Sequence, residues 1–546
     1  MNRAAHFQIE LASGGRLEIP IASDRRLLAD WLSAHGLPLN TRCGQRGLCR
    51  GCEVELREGA LVTDKGTVTA PAKVQACRAR LTAPARIFIP ARSRIEHRPQ
   101  VGETFEIAVP YAHQPLFAVV PGQRDLAFAV DVGTTTVVVL LVDLVTGAVL
   151  SRAGAFNEQI RFGDNVTTRI EAAHKPENRS AMQYAIVMET IQPLLLRACE
   201  RAGRLAERIV GGAIAGNTTM LHLLVGADPT PLGVAPFTPS FLRGKQVAAG
   251  EIQLVAEGLG GDTPIQLLPG IAGYLGADIT AGVFASGMVF DPTPSVLVDI
   301  GTNGEIVLQN GGRLIACATA AGPAFEGCGL RCGTQARDGA VSDLRLTLNP
   351  FHLETETIGH LPLASAIGLC GSAYVDFLAT ARSSGLLSAT GRFPLAVWET
   401  IPARNRFVEK GERALRLTDI HGGGGLLISE LDVALLLQAK AAIGAGIEIL
   451  LATAGIGAAD VGRVYLAGGF GMHLNIAHAI AIGLLPGFRE AQVRVVGNTS
   501  LAGALLALVD HTTLDEMEDL RTRVEVLELN LADNFADRYV EHLMLP

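Results

Sequence analysis

The same short pattern occurs twice in this chain, about 170 residues apart: an apolar strand, then Asp-[Val/Ile]-Gly-Thr, then a second strand. The first copy is AVDVGTTTVVVLL, with Asp131, Gly133 and Thr134; the second is LVDIGTNGEIVLQ, with Asp299, Gly301 and Thr302. Setting Asp131 on Asp299 also sets Val132 on Ile300, Val138 on Ile306, Val139 on Val307 and Leu140 on Leu308. Each copy reads as strand–turn–strand. Two common phosphate loops are thereby excluded: there is no G-x4-G-K-[ST], and no G-x-G-x-x-G opening a helix after a strand. A hairpin tip of glycine and threonine offers backbone N–H groups and hydroxyls to phosphate oxygens. An aspartate at the strand end suits a hydrated Mg2+. Two such tips in a duplicated fold face each other across a cleft, one on each side of a polyphosphate.

The rest of the chain fits a large nucleotide-binding protein. Apolar residues make up 48% and charged residues 18% of 546, so a sizeable core forms and disorder is excluded. The 61 glycines call for many tight turns and close backbone approaches. A net charge of −8 excludes a basic nucleic-acid footprint. The first residues, MNRAAHFQIE, have no apolar signal region. No run of about 20 uncharged apolar residues predicts a membrane span. A cytoplasmic location is expected, with no membrane partner.

The first 91 residues follow another plan. Phe7–Leu11 and Arg16–Ile21 alternate around a Gly-Gly turn and predict a hairpin; Leu27–Gly36 has helical spacing. Hairpin, helix, cysteine loop and strands is the order of a small β-grasp domain. Four of the nine cysteines, Cys43, Cys49, Cys52 and Cys77, are spaced C-x5-C-x2-C-x24-C. Plant-type 2Fe–2S ferredoxins use C-x4-C-x2-C and a distant fourth cysteine. Three thiolates on one loop with Gly44, Gly47 and Gly51, and a fourth from a separate strand, suit a 2Fe–2S cluster. A zinc ribbon would show two C-x2-C pairs, and a thioredoxin motif would sit in a βαβ unit. Arg42, Arg46 and Arg50 around the loop either attract an acidic partner or are ordinary solvated cations.

Residues 92–125 are irregular and carry Pro99, Pro110, Pro115 and Pro121, which predicts a linker. The region 126–546 then divides into lobe I, about 126–290, and lobe II, about 291–546. Beyond the two hairpins it contains LPGIAGYLGADITAG (Leu268–Gly282), YLAGGFG (Tyr465–Gly471) and GNTSLAGALLAL (Gly497–Leu508). In this order they resemble the first connecting helix, the adenosine motif and the second connecting helix of the acetate and sugar kinase, heat-shock ATPase and actin superfamily. The implied fold class is α/β: an N-terminal β-grasp ferredoxin-like domain, then a duplicated two-lobed actin-like (ribonuclease H-like) ATPase. GNTTMLHLLVGADP (Gly216–Pro229), AGPAFEG (Ala321–Gly327) and the helix Leu431–Ile447 narrow the likeness. With the ferredoxin fusion, the chain resembles the reductive activators of corrinoid proteins over nearly its whole length. Larger members carry an extra small domain between ferredoxin and ATPase, for which 92–125 is too short.

This resemblance implies an ATP-hydrolysing iron–sulfur reductase that returns Co(II) to Co(I) in a corrinoid methyl-carrier protein. Plant-type clusters sit near roughly −400 mV. Each 59 mV of shortfall costs about a factor of ten for one electron, so ATP would have to drive the transfer. The implied roles follow by position. Asp131 and Asp299 place Mg2+ or the attacking water, with Glu326 and Asn217 as further polar groups of the cleft. Gly133, Thr134, Thr135 and Thr136 cradle one side of the phosphates, and Gly301, Thr302 and Asn303 the other. Gly468, Gly469 and Gly471 lie under adenosine. An upstream reductase and a homodimer through the ATPase region are implied as well. Alternatives are an ATP-driven donor to another low-potential metalloenzyme, a redox-gated kinase, or a sensor holding ATP structurally. The activators of 2-hydroxyacyl-CoA dehydratases share the ATPase fold but lack a fused ferredoxin.

Other signals are read as structural. Asp419 to Gly424 fits the D-x-H-x-x-G pattern of cobalamin-binding domains, but no independent domain follows it, so His421 is not taken as a cobalt ligand. Cys317, Cys328 and Cys332 read as small core residues rather than a second metal site. Cys199, Cys370 and His222 also read as core, and His473 and His478 follow the adenosine motif.

Overall fold

The computed structural model describes residues 6–12, 15–20, 26–39, 41, 45, 47, 52–90, 93, 104–109, 111–418 and 425–546. The chain forms two compact units, Met1–His97 with Gln159–Asp164, and Arg98–Glu158 with Asn165–Pro546.

In the first unit the alternation of FQIEL buries Phe7 and Ile9 and exposes Gln8. The strand His6–Leu11 pairs antiparallel with Arg16–Pro20 and parallel with Ala85–Ile89, which pairs antiparallel with Glu53–Thr63. The helix Leu28–Ala34 covers this sheet through Leu28, Trp31 and Leu32, with Trp31 edge-on to Phe7 at 5.4 Å. First and last strands paired in parallel, with one helix across them, make a β-grasp domain, as the sequence order implies.

The second unit holds the duplication. One sheet runs Val149–Phe156, Thr136–Asp143, Leu126–Val132, Ile209–Gly216, Pro264–Leu267, Lys245–Ala248. The other runs, from its opposite edge, Arg313–Thr319, Gly304–Asn310, Ser295–Ile300, Arg463–Ala467, Val493–Gly497, with Val524–Val526 beyond the first of these. In each sheet the Asp-x-Gly-Thr hairpin is the antiparallel half. Its first strand continues into parallel pairing with two later strands. The central strands Leu126–Val132, Ile209–Gly216 and Ser295–Ile300 read as near-continuous apolar runs because both of their faces are covered.

After the last parallel strand of each core comes one helix, Ala277–Ala285 in lobe I and Thr499–Val509 in lobe II. The two helices cross at small residues. A Cβ on Gly503 would lie 2.4 Å from that of Ala281, and one on Gly282 would lie 2.6 Å from Thr499 Oγ1. The helix Thr499–Val509 also packs on Leu126–Val132 and Ile209–Gly216, so a segment assigned by sequence to lobe II completes the core of lobe I.

From Thr104 onward the segment expected to be a linker is not a tether. Asn498 N donates to Thr104 O, Glu106 N to Val496 O, Gln114 N to Val509 O and Leu116 N to Leu508 O. The described part makes isolated bridges, Phe105 with Gly497 and Gln114 with Asp510, because irregular chain still pairs with whatever strand or helix end offers free backbone groups. Lobe II carries the long helix Glu430–Ala454, opened by a Ser429–Asp432 capping box and closed by Gly455 at φ 69°. By length and composition it passes for a membrane span, yet 78% of its most apolar window is buried inside the unit.

The helix crossing yields a prediction. Gly503→Val should destabilise the second unit by about 1–3 kcal/mol, the usual result of overpacking. Denaturant unfolding followed at a second-unit probe should show it, with the visible spectrum of the N-terminal unit unchanged at low denaturant.

Candidate active site and cluster-binding loop

The two tips differ in size by one residue. At the first, Gly133 N donates to Thr136 O (3.0 Å); at the second, Gly301 N donates to Asn303 O (2.9 Å). Asp131 therefore faces Val138 across its hairpin, whereas Asp299 faces Glu305. The ungapped sequence match past the tip is thus corrected by one position. Val138 takes the place of Glu305, and Val139 that of Ile306. A slip of one residue exchanges the faces of a strand, and here it puts a carboxyl beside Asp299.

Both tips reach one carboxylate. Glu326, at the end of the turn Pro323–Glu326, accepts through Oε2 from Thr135 Oγ1 (2.9 Å) in lobe I and Thr302 Oγ1 (3.1 Å) in lobe II. Asn217 caps the helix Thr218–Leu224, accepting from Met220 N, and donates Nδ2 to Thr134 Oγ1 at 3.0 Å. Asn498 does the same work from the other connecting segment. It caps Thr499–Val509 and donates Nδ2 to Asp131 Oδ2 at 2.8 Å, while Ser500 Oγ donates to Asp131 Oδ1 at 2.7 Å. Gly468 has φ 87°, and a Cβ there would lie 2.5 Å from Asp299 Oδ1, so only glycine lets this strand end pass the carboxyl.

A cavity of about 270 Å³ opens along these groups. Thr135, Thr136, Asp299, Gly301, Glu326, Gly468 and Gly469 line it. Phe325 and Phe470, stacked at 5.3 Å, form an apolar wall. Asp131, Gly133, Thr134, Asn217, Thr302 and Asn303 are not on its surface; Asn217 and Thr302 hold the tips by the bonds just given. Gly471 packs against Leu466 instead. His473 lines the cavity; His478 pairs through Nδ1 with Asp376 at 2.6 Å. Cys370, expected within a helical core, lines the cavity as the residue before the helix Gly371–Ser383. Its place follows from Gly371, where a Cβ would overlap Phe325 O.

Burial and mutual repulsion set the electrostatics. Burial, then the charges of Asp131 and Glu326, push Asp299 up to about 7. Burial, then Asp299 and Asp131, push Asp278 up to about 8. Glu305 is raised by burial and then by Asp278 and Asp299, and Asp131 by burial, against its bonds to Ser500 and Asn498. Carboxyls held so close favour a proton or a cation. With hydroxyls and glycine amides on both sides, they fit Mg2+ bound through one or two carboxylates and phosphate oxygens.

Sequence reasoning missed Asp278, Glu305, Asn498 and Ser500. Asn498 and Ser500 had a signal: Gly216-Asn217-Thr218-Thr219 and Gly497-Asn498-Thr499-Ser500 are a second repeated motif. His222 is neutral core as read, with Nδ1–H donating to Thr218 O and Nε2 accepting from Ser240 N. Cys317 is fully buried and its thiol is pushed up by burial; Cys332 Sγ accepts from Leu427 N. Asp419 to Gly424, with His421, lie outside the described residues.

In the first unit Cys52 and Cys77 are buried, and Ala76 N donates to Cys52 O at 3.1 Å. The ladder Glu53–Gln75 sets them side by side, one at the end of the cysteine loop and one on a neighbouring segment. Gln75 Nε2 donates to Gly47 O, and Gly47 has φ 72° with Arg78 packed on it. This arrangement fits the three-plus-one ligand layout of a 2Fe–2S site. Cys43, Cys49, Gly44, Gly51 and the arginines Arg42, Arg46 and Arg50 lie outside the described residues.

Fold and site define a two-lobed actin-like ATPase joined to a ferredoxin-type unit. Family models match the chain in the same order: a 2Fe–2S iron–sulfur cluster binding domain over 12–82, the RACo middle region over 126–290, and the C-terminal ASKHA domain of RACo over 293–546. The chain is 26% identical to the corrinoid activation enzyme RamQ of Eubacterium limosum, across 96% of each chain. It is 25% identical to the Co(II) methylated amine-specific corrinoid protein reductase of Methanosarcina barkeri, across 74% of each. A solved reductive activator for corrinoid, iron–sulfur protein superposes with a TM-score of 0.71 at 28% identity, over 99% of this chain and 98% of that one. The chain belongs to the family of reductive activators of corrinoid proteins.

Two outcomes follow from the cleft. Asp299→Ala should lower ATP turnover about 10²-fold or more while the visible spectrum of the cluster stays unchanged; turnover like wild type removes Asp299 from the site. Asp299 and Asp278 have folded pKa values raised above the ordinary carboxylate range. Their contribution to stability is present below about pH 4 and is lost as pH rises through about 7 and 8. The nucleotide-free melting temperature should therefore fall from pH 6 to 9, and millimolar Mg2+ should blunt the fall.

Proposed function

We propose that this chain uses ATP hydrolysis to return the cobalt of a corrinoid methyl-carrier protein from Co(II) to Co(I). The observation that carries the ATPase half is the single Glu326 oxygen shared by Thr135 and Thr302, which marks where both tips meet one anion. A polyphosphate entering there takes over the two hydroxyls, together with the amides of the glycine–threonine tips. Glu326 is then released beside Asp299, where either carboxylate orients a water and accepts its proton as the water attacks the terminal phosphoryl group and ADP leaves. Asp299 would hold Mg2+, with Asp131 and Asp278 behind it adding negative charge, and the ion would supply charge neutralisation at the phosphates. Phe325, Phe470, Gly468 and Gly469 provide the apolar, close-fitting side of the cavity for the nucleoside.

The 2Fe–2S cluster, bound by Cys43, Cys49, Cys52 and Cys77, supplies one electron at low potential. A separate reductase must reload it after each transfer. The chain acts in the cytoplasm, where thiolates stay reduced, and a homodimer through the ATPase unit is part of the same proposal. ATP performs work here only if its bound and hydrolysed states differ in affinity for the carrier. A cleft that closes on phosphate from both lobes provides those two states.

The deciding experiment mixes pre-reduced protein with a Co(II) corrinoid carrier and follows Co(I) absorbance with and without Mg-ATP. Co(I) formation only with Mg-ATP is expected. Its absence, with an intact reducible cluster and active ATPase, sinks the choice of client. Cys77→Ser should abolish the reduction and disrupt the cluster spectrum while nucleotide affinity changes less than about twofold.

A further inference from the structure

The described residues lining the cavity include no lysine or arginine, although a polyphosphate must bind beside several carboxyls. The cation is one layer back. Arg169, on the helix Val166–Ala172, is fully buried. Its Nη2 donates to the carbonyl oxygen of Thr134 at 2.5 Å, and its Nη1 lies 3.1 Å from Met220 Sδ. Asn157, also fully buried, holds the carbonyls on either side: its Nδ2 donates to Gly133 O at 2.9 Å and its backbone N to Thr135 O at 2.9 Å. Three of the four carbonyls of the first tip, those of Gly133, Thr134 and Thr135, are thus held by these two buried residues. A peptide whose carbonyl is turned one way presents its N–H the other way, so the amides of Thr134, Thr135 and Thr136 point away from these two donors.

We infer that Arg169 and Asn157 are positioning residues for phosphate. They fix the first tip as a preformed amide cradle, and the guanidinium polarises the Thr134–Thr135 peptide so that its N–H donates more strongly. Donors already engaged through their carbonyls reinforce one another, and a cradle fixed before binding avoids the cost of ordering the loop.

This inference rests on the nucleotide-site reading above, and the test separates the two. Full-length Arg169→Met and Asn157→Ala are titrated calorimetrically with Mg-ADP and with adenosine, beside wild type. Each variant should bind Mg-ADP at least tenfold more weakly and adenosine within twofold of wild type. Equal losses for both ligands, or no loss, overturn the inference. If Arg169→Met does not yield folded protein, Asn157→Ala decides by the same criterion. Failure of wild type itself to bind Mg-ADP removes the nucleotide-site reading instead.

Discussion

One carboxylate oxygen, that of Glu326, is where the two hairpin tips of the duplicated fold meet. Hydrogen bonds to a charged acceptor contribute about 1.5–3 kcal/mol each, so the pair from Thr135 and Thr302 registers the tips without locking them. The contact lies among carboxyls that repel one another, and it stands because hydroxyls and the amides of Asn217 and Asn498 satisfy the tips and Asp131 from behind. A ligand that offers stronger acceptors to the same hydroxyls replaces the bridge instead of having to pull the lobes apart. Its strength suits a reversible cycle better than a salt bridge of the same span would, since a guanidinium there would bind phosphate and product alike.

Much of this was legible in the sequence, and the failures have physical causes. The repeated Asp-x-Gly-Thr placed both strand ends and both tips correctly, because a hairpin tip needs glycine and hydroxyls wherever it occurs. The register beyond the tip was not legible. Thr136–Asp143 and Gly304–Asn310 are buried on both faces, so no alternation marks which residue faces which partner. That one-residue ambiguity hid Glu305, which reads as a lone polar residue in an apolar strand until Asp299 is set opposite it. Asp278 and Arg169 come from helices whose approach to the tips is fixed only by tertiary packing. In contrast, Asn498 was available from the repeat of Gly-Asn-Thr.

In the N-terminal unit the cysteine spacing carried most of the information. A gap of 24 residues is long enough for a strand to leave the loop and return beside it, and the ladder from Glu53 to Gln75 is that return. The unit has its own apolar core around Phe7, Trp31, Leu56 and Ile87. Its redox chemistry and the phosphate chemistry of the other unit are therefore separable by mutation.

The stitching of Thr104 and Glu106 to Val496 and Asn498 bears on where this chain could accept an inserted module. Gly497 has φ 72°, and a Cβ there would overlap Thr104 O, so the chain and the end of the strand Val493–Gly497 fit only at one setting. From Thr104 onward, gaining or losing a residue would shift every bond out to Leu116. Asn498, which steadies Asp131, sits inside that run. A module spliced in on the ferredoxin side of that point would leave these bonds in place, whereas one spliced in within the run would break the register that holds Asn498.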